Sequence, residues 1–334
     1  MTTAIAEIVE TDAHGNTDRP ELEGTTPEET YFSAREVPWM KLGKIRTDGP
    51  VDARTAAKLG GIDFEVAEAP ISFMTKADGQ PPKWHKIPDR KAIFRPDTMQ
   101  WLSVVGKDYP VLQYGEAFDF MDGLSPEFVA AGQLRKGRQG FMVVRAPQGL
   151  KGPTDDDPHE LFGVLRTSHD CSRAIEVAVM PLRGRCMNQL TLRSFTKGVA
   201  DRWTVTHVGD VKAKLAAAKE TMARLGEYAN VYEANASRLA GITVSDENAH
   251  DILKRVLPDR PKREEVIVKI ITGWHSRPDT IGFEGSGWGL VNAVSEYFEW
   301  DRTGGTAESR FLAALQGQTH TAINKTASLI LTRN

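Results

Sequence analysis

The period of the hydrophobic and polar positions changes once along this chain, near residue 207. Before that point apolar residues alternate or run in short blocks; beyond it they recur every three or four positions. "DFEVAEAPISFM" (63–74) sets Phe64, Val66, Ala69, Ile71 and Phe73 between polar neighbours, the pattern of a strand pair or a bulged strand. "AIFRPDTMQWLSVVG" (92–106) is mostly strand, with a turn at Arg95-Pro96-Asp97. "QLRKGRQGFMVVRAP" (133–147) turns at Lys136-Gly137. "HELFGVLRTS" and "RAIEVAVMPLRGRCMNQLTL" predict two long antiparallel strands joined at Ser168-His169-Asp170. In the second, Ile175, Val177 and Val179 face one way and Pro181 marks an edge or bulge. "VDARTAAKLGG" (51–61) is a short helix capped by Asp52 and ended by Gly60-Gly61. Ala117, Phe118, Met121 and Leu124 have helical spacing, and "GQPPKWHKIPDRKA" (79–92) reads as a proline-rich basic loop.

Beyond residue 207, Val208, Val211, Leu215, Ala218, Met222, Leu225, Ala229, Tyr232, Ala236 and Leu239 form a heptad seam within a helix from the Asp210 cap to Gly241. The seam suits either packing within its own domain or contact with another subunit. Ser245, Ser286 and Thr306 are placed to cap further helices. One stops at Pro258, another takes Pro261 in its first turn, and the last carries Phe311 and Leu315. Segregated strands and helices predict an α+β fold, an N-terminal antiparallel β-sheet with short helices followed by a helical C-terminal region. The expected division is a disordered acidic arm (1–36), a β-rich core domain (37–206) and a helical region (207–334).

Charge changes this picture mainly at the N-terminus. The formal net charge is only −3, but residues 1–36 hold nine acids against Arg19 and Arg35, so the remainder is slightly basic. Two cysteines, Cys171 and Cys186, do not make a disulfide scaffold and suit a reduced cytosol. No basic-then-apolar leader and no span of about 18 apolar residues occurs, so a soluble protein of the cytoplasm is expected.

The search for chemistry leaves little beyond cations. "GFEGSGWG" (282–289) lacks the Lys-Ser/Thr end of a phosphate loop and reads as a helix-capping loop. No CxxC, HxH or HExxH occurs. Asp155-Asp156-Asp157 is a possible Mg²⁺ run, and His169/Asp170 a possible pair for a metal-dependent nucleic-acid enzyme. Cys186 on a strand reads as core. Basic residues interleaved with aromatics remain: Lys83, Trp84 and Lys86; Arg135, Lys136 and Arg138 at a strand turn; and Arg183 and Arg185. The last two, spaced two apart on a strand, would share a face and clasp successive phosphates, unless acids of the fold neutralise them.

Four stretches carry a resemblance: "VPWMKLG" (37–43), "VVGKDYPVLQYGEAFDFMDGL" (104–124), "SHDCSRAIEVAVMPLRGRCMNQL" (168–190) and "GWGLVNAVSEYFEWDR" (287–302). In this order they resemble the phage/plasmid-like proteins, a domain-of-unknown-function group found in phages, prophages and plasmids, from about residue 37 onward. That family usually has Gly where Cys171 stands, which counts against a role for Cys171. The layout is also broadly similar to the ring-forming RecT/Redβ-class single-strand annealing proteins of phages, an analogy of fold alone. It implies a cofactor-free protein that binds and anneals single-stranded DNA as a homo-oligomer, with a phage exonuclease or host single-strand-binding protein as partner. On that view Arg183, Arg185, Arg135, Lys136 and Arg138 hold phosphates, Lys83, Trp84 and Lys86 form a stacking lip, and the 210–240 helix carries subunit contacts. The alternatives are a phage regulatory protein binding a host protein, and the enzyme above.

Overall fold

The computed structural model describes residues 6–7, 46–47, 52–76, 81–118, 127–146, 149–186, 188–192, 202–205, 225–302, 304 and 306–332. The acidic arm beyond Ala6–Glu7, the "VPWMKLG" stretch and the first half of the heptad helix lie outside them. Ala6–Glu7 (β1) pairs with Arg46–Thr47 (β2). The main sheet is antiparallel and runs β11(Asn188–Gln189)–β10(Ile175–Arg183)–β9(Pro158–Ser168)–β7(Gln139–Arg145)–β6(Glu127–Leu134). β8 (Leu150–Lys151) adds to β9, and β12 (Arg202–Val205) adds to β10. A separate sheet has the order β3(Ala67–Thr75)–β4(Lys83–Phe94)–β5(Trp101–Gly106).

Every residue of β10 is buried, because the main sheet is covered on both faces. Met142, Leu165, Val177 and Val179 pack under Tyr228, Tyr232 and Trp288 of the helical region. Phe141, Val164, Ala178 and Met180 pack instead on Phe311 and Leu315. A strand buried on both sides needs a continuous apolar run, which is how this stretch reads. Pro181 sits where the outer edge of β10 passes from β12, paired to Ile175–Ala178, to β11, paired to Leu182–Arg183. Its missing N–H therefore breaks no ladder.

Among the described residues eight α-helices follow: α1 (Ala53–Leu59), α2 (Tyr114–Phe118), α3 (Leu225–Gly241), α4 (Asp246–Val256), α5 (Arg263–Ser276), α6 (Gly287–Glu296), α7 (Ala307–Gln316) and α8 (Gln318–Leu331). Asp52, Ser245, Ser286 and Thr306 cap α1, α4, α6 and α7, each side chain accepting a backbone N–H three residues on. In α6 the glycines serve close approach. A Cβ on Gly289 would lie 2.2 Å from the Phe283 carbonyl oxygen, and one on Gly287 3.0 Å from that of Leu239. Helix α8 gave no sequence signal because half its buried face is polar. Thr319, His320, Asn324 and Thr326 are buried, and Asn324 donates to the Thr191 carbonyl at 2.8 Å.

Two expectations are corrected. Residues 83–92, expected as loop, belong to the middle strand of the smaller sheet, Lys83–Phe94. Pro88 is tolerated because Ile71 pairs with Ile87 and Pro70 with Lys91, leaving 88–90 unopposed on β3. The described half of the heptad seam is not open to another subunit. Ala229, Tyr232, Ala236 and Leu239 are buried in the chain's own core against α6 and α8. Alanines at the seam let those helices come close, which burial inside one chain exploits.

Candidate nucleic-acid interface

The smaller sheet buries one face and exposes the other. Ile93 and Val105 pack with Val66 and Leu102 beneath it. On the outer face Ala67, Phe94 and Trp101 stand side by side, as do Ala69, Ala92 and Val104. Trp101 is 60 % and Val104 56 % exposed, so this is an apolar sheet face turned to solvent. β5 pairs only with Arg90–Phe94, so 71–75 and 83–87 continue past it as a two-stranded ribbon. On one side of the ribbon Phe73 stacks on His85 with ring centroids 5.0 Å apart. On the other, Met74 opposes the 68 %-exposed Trp84, and Ser72 opposes Lys86. Lys83 and Lys86 are both exposed and, being an odd number of residues apart, lie on opposite sides of the ribbon.

The second cationic group stands at the other end of β4. Arg135, Lys136 and Gly137 make the β6–β7 turn with φ of 51°, 58° and 81°. For arginine and lysine this left-handed backbone costs about 1 kcal/mol or more each. It is held by Gln100 Nε2 donating to the Lys136 carbonyl at 2.8 Å and by Tyr114 Oη donating to that of Gly137 at 3.0 Å. The turn presents Arg135 and Lys136 to solvent. Arg138 lies over the Trp101 ring, 4.5 Å from its centroid. The structure thus places Arg135, Lys136 and Arg138 around one end of the exposed face and Lys83 at the other, with Trp84 and Lys86 on the reverse side of the ribbon. Eight residues of strand separate Lys86 from Phe94, a span of about 26 Å. Phe73 and Trp101 belong to the same surface, but strand alternation alone did not reveal which face is left uncovered.

Arg183 and Arg185 are corrected: they do not form a phosphate clasp. Arg183 is fully buried, and its Nε donates to Asp157 Oδ1 at 2.7 Å. Nη1 reaches Asn292 Oδ1 at 3.2 Å and Cys186 Sγ at 3.9 Å. Trp288 Nε1 donates to Asp157 Oδ2 at 3.3 Å, and His159 Nε2 lies 3.3 Å from the same oxygen. Burial pushes the Asp157 carboxyl up, but His159 and Arg183 outweigh it and hold it below the ordinary carboxylate range. Arg185 lies past the end of β10, so the strand-face relation fails. It donates to Asp156 Oδ2 at 2.8 Å and to the Ile281 carbonyl at 3.3 Å. The Asp155–Asp157 run is accordingly split: Asp155 is exposed, Asp156 meets Arg185 and Asp157 meets Arg183. His169 is buried with its ring centroid 4.1 Å from that of Tyr114, inside an aromatic cluster.

Among the described residues one set of metal-ligand type converges: Cys186, Asp279 and Glu296, all buried, with donor atoms within 4.8 Å of one another. Arginine already supplies positive charge there, from Arg183 beside Cys186 and from Arg277 Nη1 3.2 Å from Glu296 Oε1. Burial pushes the Cys186 thiol well up, which keeps it protonated and a poor nucleophile. Next to this set, Glu299 accepts from Gln189 N at 3.0 Å and Ser295 Oγ at 2.6 Å. Burial still carries its carboxyl up to about 8.

The chain is therefore an α+β protein that turns an aromatic, cation-flanked sheet face to solvent and seals its densest charge network inside. It belongs to the family described as domain of unknown function DUF932, whose profile matches residues 101–329. The matched segment starts at Trp101 and takes in the β6–β7 turn and the buried network; the β3–β4 ribbon precedes it. No curated protein and no solved structure matches the chain. Among the described residues no helix is long and apolar enough to cross a membrane.

Proposed function

We propose that this is a DNA-metabolism protein of phages and related mobile elements that binds single-stranded DNA on the outer face of the β3–β4–β5 sheet and promotes annealing without ATP. The observation that carries the reading is the exposed face itself. Trp101 and Phe73 offer flat rings to unstacked bases, while Arg135, Lys136 and Arg138 at one end and Lys83 at the other offer charge to phosphates. Stacking on aromatics tolerates any base, and duplex DNA does not present its base faces, so the surface favours single strands. Annealing follows if the phosphates are held while the base edges stay outward.

The test is fluorescence anisotropy of a labelled single-stranded oligonucleotide, with duplex as comparison, at low and moderate salt. Salt-sensitive binding that prefers single strands is expected. Each of Phe73→Ala and Trp101→Ala should weaken it roughly tenfold, since one stacked base is worth about 1–3 kcal/mol. No binding at low salt, or unchanged binding by both variants, overturns the reading. A second reading rests on the aliphatic part of the same surface: Val104 and Met99, the latter 75 % exposed, suit a protein partner. It predicts no oligonucleotide binding and a host-protein complex that Val104→Asp abolishes.

A further inference from the structure

A cavity of about 270 Å³ opens among the C-terminal helices, away from the smaller sheet. Four cations line it: Arg260, Lys262 and Arg263 from the start of α5, and Arg302 just past the π-helical turn Tyr297–Asp301. Leu257, Val266, Phe298 and the Tyr297 ring give it an apolar floor, and Gln318 adds one amide. Among the described residues no carboxylate belongs to its wall. Asp259 pairs with one of these cations, Arg263, at 3.1 Å, Arg302 Nη1 donates to Gln318 Oε1 at 2.9 Å, and Glu264 meets His250 at 2.9 Å.

We propose that this cavity binds a phosphate monoester attached to a compact aromatic body, that is, a mononucleotide or the 5′-phosphorylated end of a DNA strand. Asp259 offsets the charge of Arg263, but Arg260, Lys262 and Arg302 remain as like charges around one small cavity, and a bound anion relieves their repulsion. A monoester carries close to two negative charges near neutral pH where a backbone diester carries one, so the cations discriminate in favour of a terminal phosphate. Guanidinium forks match three free phosphate oxygens, and the Tyr297 and Phe298 rings suit a base or sugar better than a bare ion. The pocket reading stands independently of the sheet; only a DNA end as the source of the phosphate rests on it.

The experiment is calorimetric titration of the full chain with a deoxynucleoside 5′-monophosphate, with its unphosphorylated nucleoside, and with inorganic phosphate. In parallel, one oligonucleotide is compared with and without a 5′-phosphate. Saturable binding of the monophosphate, with the nucleoside at least tenfold weaker, is expected. Arg260→Gln/Lys262→Gln, two exposed side chains, should weaken it a further tenfold or more while leaving the unfolding midpoint unchanged. Trp101→Ala should leave it untouched, which separates this site from the sheet. A 5′-phosphate preference that the same double variant removes assigns the ligand to a strand end; monophosphate binding without that preference assigns it to a free nucleotide. No binding of the monophosphate together with indifference to the 5′-phosphate overturns the proposal. So does monophosphate binding that the double variant does not weaken.

Discussion

Replacing Asp157 by asparagine tests the structural reason for withdrawing Arg183 from the nucleic-acid surface. Asp157 is 1 % exposed and receives Arg183 Nε at 2.7 Å and Trp288 Nε1 at 3.3 Å. Asparagine keeps the shape but removes the charge and turns one acceptor into an N–H₂ facing a donor. The guanidinium of Arg183, fully buried, then loses its hydrogen-bonded carboxylate in a low-dielectric interior. Breaking such a pair costs about 3–5 kcal/mol, a large part of the roughly 5–15 kcal/mol that holds a domain together. Urea unfolding followed by circular dichroism should show Asp157→Asn shifted down by that amount. The pair itself need not be a net gain, because desolvating both ions offsets much of their attraction. Asp157→Leu/Arg183→Met should therefore recover most of the loss. Asp156→Asn, which frees a partner at the surface, should leave the midpoint unchanged. The depressed Asp157 carboxyl fixes the sign with pH. Its contribution is complete above the usual carboxylate range and is lost as pH falls through its lowered folded value, so acid should narrow the gap between wild type and Asp157→Asn. An Asp157→Asn loss under about 1 kcal/mol, or no recovery in the double variant, would refute a sealed Arg183.

Other outcomes follow from the same geometry. Arg135→Ala/Lys136→Ala/Arg138→Ala should flatten the slope of log affinity for single-stranded DNA against log salt by about 2, since each lost phosphate contact removes about 0.7; an unchanged slope removes the turn from the interface. Glu299, with its carboxyl raised to about 8, keeps a proton that the unfolded chain releases near 4.5. Stability should then be fully present at acid pH and decline as pH rises from about 4.5 to 8, at up to about 1.4 kcal/mol per pH unit. Glu299→Gln should abolish that decline in urea titrations across the window, and a decline that persists rules out Glu299 as its source. Trp84→Ala, at the ribbon tip and 68 % exposed, should change the unfolding free energy by no more than about 0.5 kcal/mol, so an unfolding loss well above that would place Trp84 in the core instead.

Local physics made much of the fold legible in the amino-acid order. The change of period near residue 207 announced strands followed by helices, because alternation and three-to-four spacing are direct consequences of strand and helix geometry. Asp52, Ser245, Ser286 and Thr306 announced helix starts, because a short side-chain oxygen before a helix satisfies N–H groups that nothing else reaches. The apolar run from Ile175 announced a buried strand. The basic-aromatic segments at 83–86 and 135–138 also stood out in the chain, and tertiary structure placed them at the two ends of one strand. Other features required distance in space. Lys83–Ala92 looked like loop because Pro88 forbids a regular ladder, and only pairing with β3 and β5 absorbs it as part of an irregular strand. Arg183 and Arg185 looked equivalent, yet a single turn separates an interior ion pair from a surface one. The acids that engage them, Asp157 and Asp156, are adjacent in the chain and diverge only because strand β9 begins there. The four cations of the C-terminal cavity and the bare face around Trp101 follow from which elements pack together and which are left without a neighbour. That depends on long-range contacts, which no local periodicity encodes.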